Sequence, residues 1–212
     1  MHLPFGRVVA GKGDWRQNFR ISCHDPLVIP KLSSLLVRHF QELLTNGRTL
    51  LILCIGTDRS TGDALGPLTG TRLQELNLPG TVVRGTLEKP VHAANLSAAI
   101  REIEEEASPP LVLALDACLG RMENVGTICV SRGSLRPGAG VNKELPPVGE
   151  LYITGTVNVG GFMEYFVLQN TRLALVHKMA MTIASALHWA LWQVHSEREG
   201  MAGQNKQGGS PV

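Results

Sequence analysis

The sequence has few aromatic residues, few cysteines and no long apolar run. Aromatic residues make up 5% of the chain, and none of its four cysteines forms a CxxC pair. This pattern excludes a zinc site of paired thiolates and a disulfide framework. The longest uncharged apolar stretch, residues 179–194, is short for a bilayer and contains His188 and Gln193. We therefore expect a buried helix there and no association with a membrane.

Charge is scarce too, and its two signs are mixed. Asp, Glu, Lys and Arg account for 18% of the residues, and the formal net charge is +2. No basic stripe is present that could neutralise a phosphate backbone, so we expect no direct contact with nucleic acid. The first 20 residues contain charges and no long apolar run, unlike a secretory signal. Together with the unpaired cysteines, these features predict a soluble, cytoplasmic protein.

Short apolar runs alternate with helical patterns along the chain. The runs at 49–55 and 111–115 are wholly apolar, as is typical of strands buried on both faces of a parallel sheet. Further strands are expected at 81–86, 126–132 and 150–156, and helices at 31–44, 64–76, 93–107 and 171–194. This order predicts a three-layer α/β/α sandwich with a mostly parallel central sheet.

The pattern indicates one domain followed by a short tail. We expect a single α/β domain over residues 1–195, with residues 1–25 as a candidate extension. The tail from Ser196 is rich in Gly, Gln and Ser, a composition that predicts disorder over 196–212.

Acidic residues and a histidine follow three of the predicted strands. Asp58 and Asp63 come after the first buried strand, His92 comes after the next strand, and Asp116 directly follows the strand 111–115. In open α/β sheets, ligands bind at the carboxyl ends of the strands, near a switch in strand order. We therefore expect these side chains to meet at one edge of the sheet.

Two carboxyl groups at such an edge can act as a catalytic pair. Burial should raise the pKa of Asp116, and repulsion from Asp63 favours one protonated and one ionised carboxyl. Such a pair can polarise a carbonyl group and activate a water molecule, as in aspartic proteases. Structural alternatives remain: Asp63 is placed to cap a helix, Asp116 to anchor a loop, Asp58 to shape one, and His92 to bond backbone at a helix start.

Other chemistries lack their sequence signatures. The loop 56–63 contains neither GxxxxGK[ST] nor GxGxxG, and its two acids oppose a phosphate group. No GxSxG motif is present, and no cysteine has an evident histidine partner. A mixed metal site of Asp63, Asp116 and His92 stays open from the residue types alone.

Three segments together resemble a known family. They are CIGTDRSTGDALGP (54–67), LVLALDACLGRMENVGTICVSRGSLRPGAGVNK (111–143) and ITGTVNVGG (153–161). These segments are similar to the germination protease of spore-forming bacteria, and most closely to its shorter relatives, the YyaC-type sporulation proteins. The hydrogenase maturation endopeptidases share this fold more distantly. The match runs in the same order from about residue 50 to about residue 161.

The resemblance implies an atypical aspartic endopeptidase of sporulation or germination. Its catalytic pair would be Asp63 and Asp116, its substrates small acid-soluble spore proteins, and its place the cytoplasm of the forespore or the spore interior. The residues expected to bind substrate at the rim are Asp58, Gly62, His92, Arg136 and Lys143. No cofactor is expected, the partner is a protein or peptide substrate, and a homo-oligomer is compatible with this prediction.

Two alternatives accompany this prediction. The first is a non-catalytic sporulation protein that uses the same fold to bind a partner or peptide. The second is a metal-dependent maturation endopeptidase. That family binds nickel through acids at the same two points and a further histidine, and this chain has no histidine near its later strands to match it.

Overall fold

The structure, a computed structural model, describes residues 18–45, 47–138 and 145–207. Within these residues, six strands form one sheet. The strands are β1 (Phe19–Ser22), β2 (Leu50–Cys54), β3 (Thr81–Arg84), β4 (Leu111–Gly120), β5 (Thr127–Arg132) and β6 (Leu151–Val159). The α-helices are α1 (Val28–Leu43), α2 (Leu65–Leu76), α3 (Leu96–Glu104), α4 (Glu164–Gln169) and α5 (Leu173–Gln207). Two 3-10 turns, Gly62–Ala64 and Met122–Asn124, precede α2 and β5.

The sheet is mostly parallel, and its strand order is β1-β5-β6-β4-β2-β3. Strand β2 pairs in parallel with β3 and β4, and β4 pairs in parallel with β6. Strand β5 runs antiparallel to both β6 and β1. The predicted α/β fold with a mostly parallel sheet is therefore confirmed. Because β3 and β4 lie on opposite sides of β2, the strand order switches between β2 and β4.

Side chains of the central strands alternate between two apolar cores. Leu50, Ile52 and Cys54 of β2 face the core that also contains α1, α2 and α5. Leu51 and Leu53 face a second core, which contains α3. Helices thus cover both faces of the sheet, which explains why β2 reads as an unbroken apolar run. The three layers follow from this alternation.

Two elements were not predicted from the sequence. Strand β1 is only four residues long and lies at the edge of the sheet, where its register with β5 pairs Phe19 with Val130. Helix α4 is only six residues long. Elements this short carry too few residues for a periodic pattern to be visible. The edge position of β1 also shows that residues 19–22, expected in a candidate extension, belong to the sheet; residues 1–17 lie outside the described residues.

The last helix is longer than predicted. The sequence predicts its end at Val194 and a disordered tail from Ser196, but α5 continues to Gln207. The first turn beyond the predicted end of α5 is held by contacts with α1 and with Leu44, the residue that follows α1. The Gln41 amide donates to the Glu197 carboxylate at 2.7 Å, and the Arg198 guanidinium donates to the Leu44 carbonyl. The expected tail is therefore helical as far as residue 207.

No helix within the described residues combines the length and the hydropathy that a membrane span requires.

Candidate active site

The switch between β2 and β4 brings Asp63 and Asp116 to the same edge of the sheet. The two strands are parallel and in register, with Cys54 opposite Leu115. Asp116 is the next residue of β4, and its partner on β6 is Thr154. Asp63 lies in the 3-10 turn that follows β2 and precedes α2. This is the crevice at the carboxyl ends of the strands where open α/β sheets bind their ligands.

The loop that carries Asp63 is held by close backbone contacts. The Thr57 N–H donates to the Asp63 carbonyl at 3.2 Å, which closes the loop on itself. Gly56 has φ of 144°, and a Cβ there would lie 2.0 Å from the same carbonyl oxygen. A Cβ on Gly66 would lie 2.0 Å from the Ile55 carbonyl oxygen, so α2 packs directly on the end of β2. Glycine is needed at both positions for these approaches.

Both acids line one cavity of about 380 Å³. Its walls come from loops after β2 and β3, from the second half of β4, from the segment after β5 and from α4. The lining residues are 55–57, Asp63, 92–93, 116–119, 135–138, Leu145, Thr154, Glu164, Tyr165 and Leu168. Polar and acidic groups therefore converge in one concave site, as in a typical small-molecule or peptide site.

The environment raises the pKa of both carboxyl groups. The pKa of Asp116 is raised to about 8, chiefly by burial and also by the charge of Asp63, against hydrogen bonds from the Ala117 and Gly138 N–H groups that lower it. The Ala117 bond measures 2.8 Å. Burial also raises the pKa of Asp63, while the nearby Ser60 hydroxyl lowers it. The larger rise falls on Asp116, so Asp116 is the member of the pair that keeps its proton to higher pH.

The capping alternative for Asp63 finds no support in the hydrogen bonds at this helix start. Helix α2 begins after Ala64, and neither it nor the preceding 3-10 turn has a side-chain cap hydrogen bond. The Asp63 carboxyl instead lies near enough to Ser60 and Asp116 to interact with both side chains.

His92 lies in the cavity wall and also takes part in hydrogen bonds at the start of a helix. It lines the cavity, and its Nδ1 accepts the Ala94 N–H at 3.2 Å. The backbone N–H of His92 donates to Asn95 Oδ1 at 2.8 Å, just ahead of α3. Because Nδ1 is an acceptor, we assign the neutral tautomer with hydrogen on Nε2, which makes Nε2 a donor.

Of the other residues predicted to bind substrate, Arg136 lines the cavity, whereas Asp58 and Gly62 do not. Arg136 is exposed and lines the cavity. Asp58 is exposed and is not among the cavity-lining residues. The loop around it is shaped in part by the Thr57 hydroxyl, which accepts the Arg59 N–H at 3.3 Å. Gly62 lies behind the cavity, where a Cβ would approach Leu168 of α4 to 2.7 Å. Lys143 lies outside the described residues.

Among the described residues, neither a metal cluster nor a reactive thiol is evident in the site. Across residues 18–45, 47–138 and 145–207, no group of three or more His, Cys, Asp or Glu side chains is arranged to hold a metal ion. Asp63, Asp116 and His92 thus do not form the mixed site that their residue types allowed. Cys118 lines the cavity with its Sγ 3.5 Å from the Thr156 hydroxyl. Burial raises the pKa of this thiol, which makes it a poor nucleophile.

Several residues of the site were missed by reasoning from the sequence. Gly138 donates its N–H to Asp116 across a loop, and no local pattern indicates that contact. Thr154 could have been found from the alternation of β6, whose even-numbered residues share the face of Asp116. Glu164 and Tyr165 lie in the segment FMEYF, whose three aromatic residues stand out in a chain with 5% aromatic residues.

The fold and the site define an α/β protein with paired acidic side chains at the carboxyl ends of parallel strands. A family model described as "Protein of unknown function (DUF1256)" matches residues 20–186, and the chain belongs to that family. It is 55% identical over 141 residues to "Uncharacterized protein YyaC" of Bacillus subtilis (strain 168). That alignment covers 66% of this chain and 69% of the relative.

Among solved structures, the chain is similar to a [NiFe] hydrogenase maturation protease, HycI, from Thermococcus kodakarensis KOD1. The TM-score is 0.48 at 18% identity, over 72% of this chain and 98% of HycI. Similarity at this level says nothing about the chemistry of the site.

Proposed function

We propose that this protein is an endopeptidase whose catalytic groups are Asp63 and Asp116. The observation that carries the proposal is that the two carboxyls line one cavity and that the charge of Asp63 raises the pKa of Asp116. Pairs of carboxyl groups with separated pKa values divide the acid and base roles of hydrolysis between them.

The two protonation states assign one step to each acid. The ionised Asp63 takes a proton from a water molecule, whose oxygen attacks the carbonyl carbon of the peptide bond. The protonated Asp116 gives its proton to the departing amide nitrogen as the carbon–nitrogen bond breaks. The products are a carboxylic acid and an amine, and a later proton exchange with water returns the pair to its starting state.

Two further groups of the cavity can stabilise the charge that develops on the carbonyl oxygen. The Nε2–H of His92 is a donor because its Nδ1 is already occupied by the Ala94 N–H. The exposed guanidinium of Arg136 lines the same cavity, and an arginine side chain is always cationic in proteins. Donors directed at such an oxygen in a half-buried site contribute strongly to acyl transfer.

The substrate class follows from the resemblance of segments 54–67, 111–143 and 153–161 to the germination protease. We propose spore proteins, with the small acid-soluble proteins first among them, and action in the cytoplasm of the forespore or in the spore interior. The paired acids at Asp63 and Asp116 coincide with the points that this resemblance gives to the catalytic residues.

Acid-to-amide variants test the proposal. Purified protein is incubated with small acid-soluble spore proteins at pH 6–7, and the fragments are identified by mass spectrometry. Asp63→Asn and Asp116→Asn should each lower the rate about 10³-fold while keeping the fold, since each removes one proton-transfer step. Glu75→Gln is the matched control, because Glu75 is an exposed acid of α2 that pairs with Arg72 and does not line the cavity.

Two results would count against hydrolysis by this pair. Undiminished cleavage by both variants would exclude the acids as catalytic groups. Binding of the spore proteins without cleavage, equal in the unaltered chain and in Asp116→Asn, would favour the binding-protein alternative.

A further inference from the structure

The segment between β6 and α5 exposes four large apolar side chains within five residues. Their exposed fractions are 88% for Phe162, 54% for Met163, 59% for Tyr165 and 54% for Phe166. We refer to residues 162–166 as the aromatic segment. Contiguous apolar surface of this kind on a folded protein marks a binding surface more often than a chance exposure.

The aromatic segment is continuous with the cavity of the acid pair. Tyr165 lines that cavity together with Asp63 and Asp116. Phe162, Met163 and Phe166 line an adjacent cavity of about 600 Å³, whose lining contains no charged residue in the part of the chain that the structure describes. The Tyr165 and Phe166 rings touch edge to face, with centroids 5.8 Å apart, so a lining residue of one cavity contacts a lining residue of the other.

Fixed contacts on its inner side hold the segment in this orientation. Leu168 packs against Gly62, the neighbour of Asp63, where a Cβ would come within 2.7 Å of the leucine. The Asn158 amide donates to the Val167 carbonyl at 3.3 Å. Met163 adopts a left-handed conformation with φ of 57°, which is uncommon for a residue with a side chain. Such a backbone persists where the surroundings enforce it, and often at binding sites.

We propose that the aromatic segment sets the specificity of the site by binding a large apolar side chain of the polypeptide substrate, next to the bond held at Asp63 and Asp116. This inference rests on the proposed function and adds to it the kind of substrate side chain that the site prefers. The cavity lined by Phe162, Met163 and Phe166 has no charged residue among its described lining residues, so it favours an aliphatic or aromatic side chain over a charged one. Glu164 does not alter this, because its carboxylate turns back to accept the Gly161 N–H at 3.1 Å.

Binding to an inactive variant separates specificity from catalysis. The probes are fluorescein-labelled nonapeptides of one sequence and net charge that carry Phe, Leu, Ser or Lys at the central position. Fluorescence anisotropy with Asp116→Asn should show the Phe and Leu peptides binding about tenfold more tightly than the Ser and Lys peptides. Adding Phe162→Ser or Phe166→Ser should reduce that preference to less than threefold, with thermal melting showing that the fold is kept.

Trp192→Ser in the same background is the matched control. Trp192 is 59% exposed, as Tyr165 is, but lies on α5 outside both cavities. It should leave the preference unchanged. If Phe162→Ser and Phe166→Ser leave the peptide preference unchanged, the proposal is overturned. If these variants also change from dimer to monomer, the aromatic segment binds a second copy of the chain instead. Because fluorescence anisotropy measures binding and requires no cleavage, a failure of the proposed hydrolysis would leave this measurement valid.

Discussion

Strand β4 has two halves that differ in burial and in chemistry. Its first five residues, Leu111–Leu115, are apolar and buried, whereas the next five, Asp116–Gly120, are half-buried. Strand β6 pairs in parallel with both halves, whereas β2 pairs with the first half alone and ends at Cys54, opposite Leu115. The difference arises because the first half lies between helices on both faces, and the second extends past α3 into the cavity.

This comparison shows how one strand serves both stability and chemistry. Asp116 is the first residue beyond the core, where burial is sufficient to raise the pKa of a carboxyl to about 8 but a substrate can still reach it. One residue earlier, Leu115 is fully buried. The predictions below change one half of β4 at a time, or the pair that its second half completes.

The largest effect should come from the first half. Leu113→Ala removes a fully buried side chain from the main core and should lower the free energy of unfolding by about 2–5 kcal/mol. Urea denaturation measures the change. Cleavage per folded molecule should stay within about threefold, since Leu113 does not reach the cavity. A large loss of activity in fully folded protein would contradict the separation of the two halves.

In the second half, Asp116→Asn should stabilise the protein at high pH. The pKa of Asp116 is about 8 in the folded state and near 4 when unfolded, so the folded state binds the extra proton between these values. The free energy of unfolding should therefore fall as pH rises from about 4 to 8. The free energy of unfolding of the amide variant should not fall in this way, because an amide does not titrate. Above pH 8 the variant should therefore be about 2 kcal/mol more stable than the unaltered chain. This value is smaller than the full pKa shift would give, because water screens the half-buried carboxyl. Equal stability curves would contradict the raised pKa.

The activity of the unaltered protein should follow the proton on the pair. As pH rises above about 8, Asp116 loses the proton it donates, and kcat/KM should fall about tenfold per pH unit. At low pH the activity should fall as well, because Asp63 becomes protonated and cannot act as the base. A profile with no alkaline limb near pH 8 would be inconsistent with Asp116 as the acid.

The smallest effect should come from Cys118, two residues beyond Asp116. Cys118→Ser keeps a polar group beside the Thr156 hydroxyl, and the stability change should stay below about 1 kcal/mol. Cleavage should fall less than threefold, because burial keeps this thiol in its poorly nucleophilic protonated form. Loss of cleavage comparable to that of Asp116→Asn would make Cys118 the nucleophile instead.

Much of this arrangement is visible in the sequence because local patterns determine it. The apolar runs that form β2 and the first half of β4 require burial on both faces, and parallel strands deliver their carboxyl ends to one edge. From that alone, Asp63 and Asp116 could be expected to lie together. The structure adds the interaction between their charges.

The remaining parts of the site depend on contacts between residues far apart in the chain. The Gly138 N–H reaches Asp116 only because the segment after β5 folds over the sheet edge. Helix α4 is too short to be recognised from periodicity, and its position follows from the packing of Leu168 on Gly62. Gly62, predicted as a substrate contact, lies against Leu168 of α4, a contact that the local sequence does not indicate.

The pKa of Asp116 is the most direct test of the paired-acid account. Carbon-13 NMR of protein labelled at the aspartate carboxyls can follow each group between pH 3 and 10. The account predicts one carboxyl that titrates near pH 8, disappears in Asp116→Asn and shifts to lower pH in Asp63→Asn, where the neighbouring charge is removed. If every aspartate titrates near pH 4 in the unaltered protein, Asp63 and Asp116 do not share a proton and the proposed mechanism is wrong.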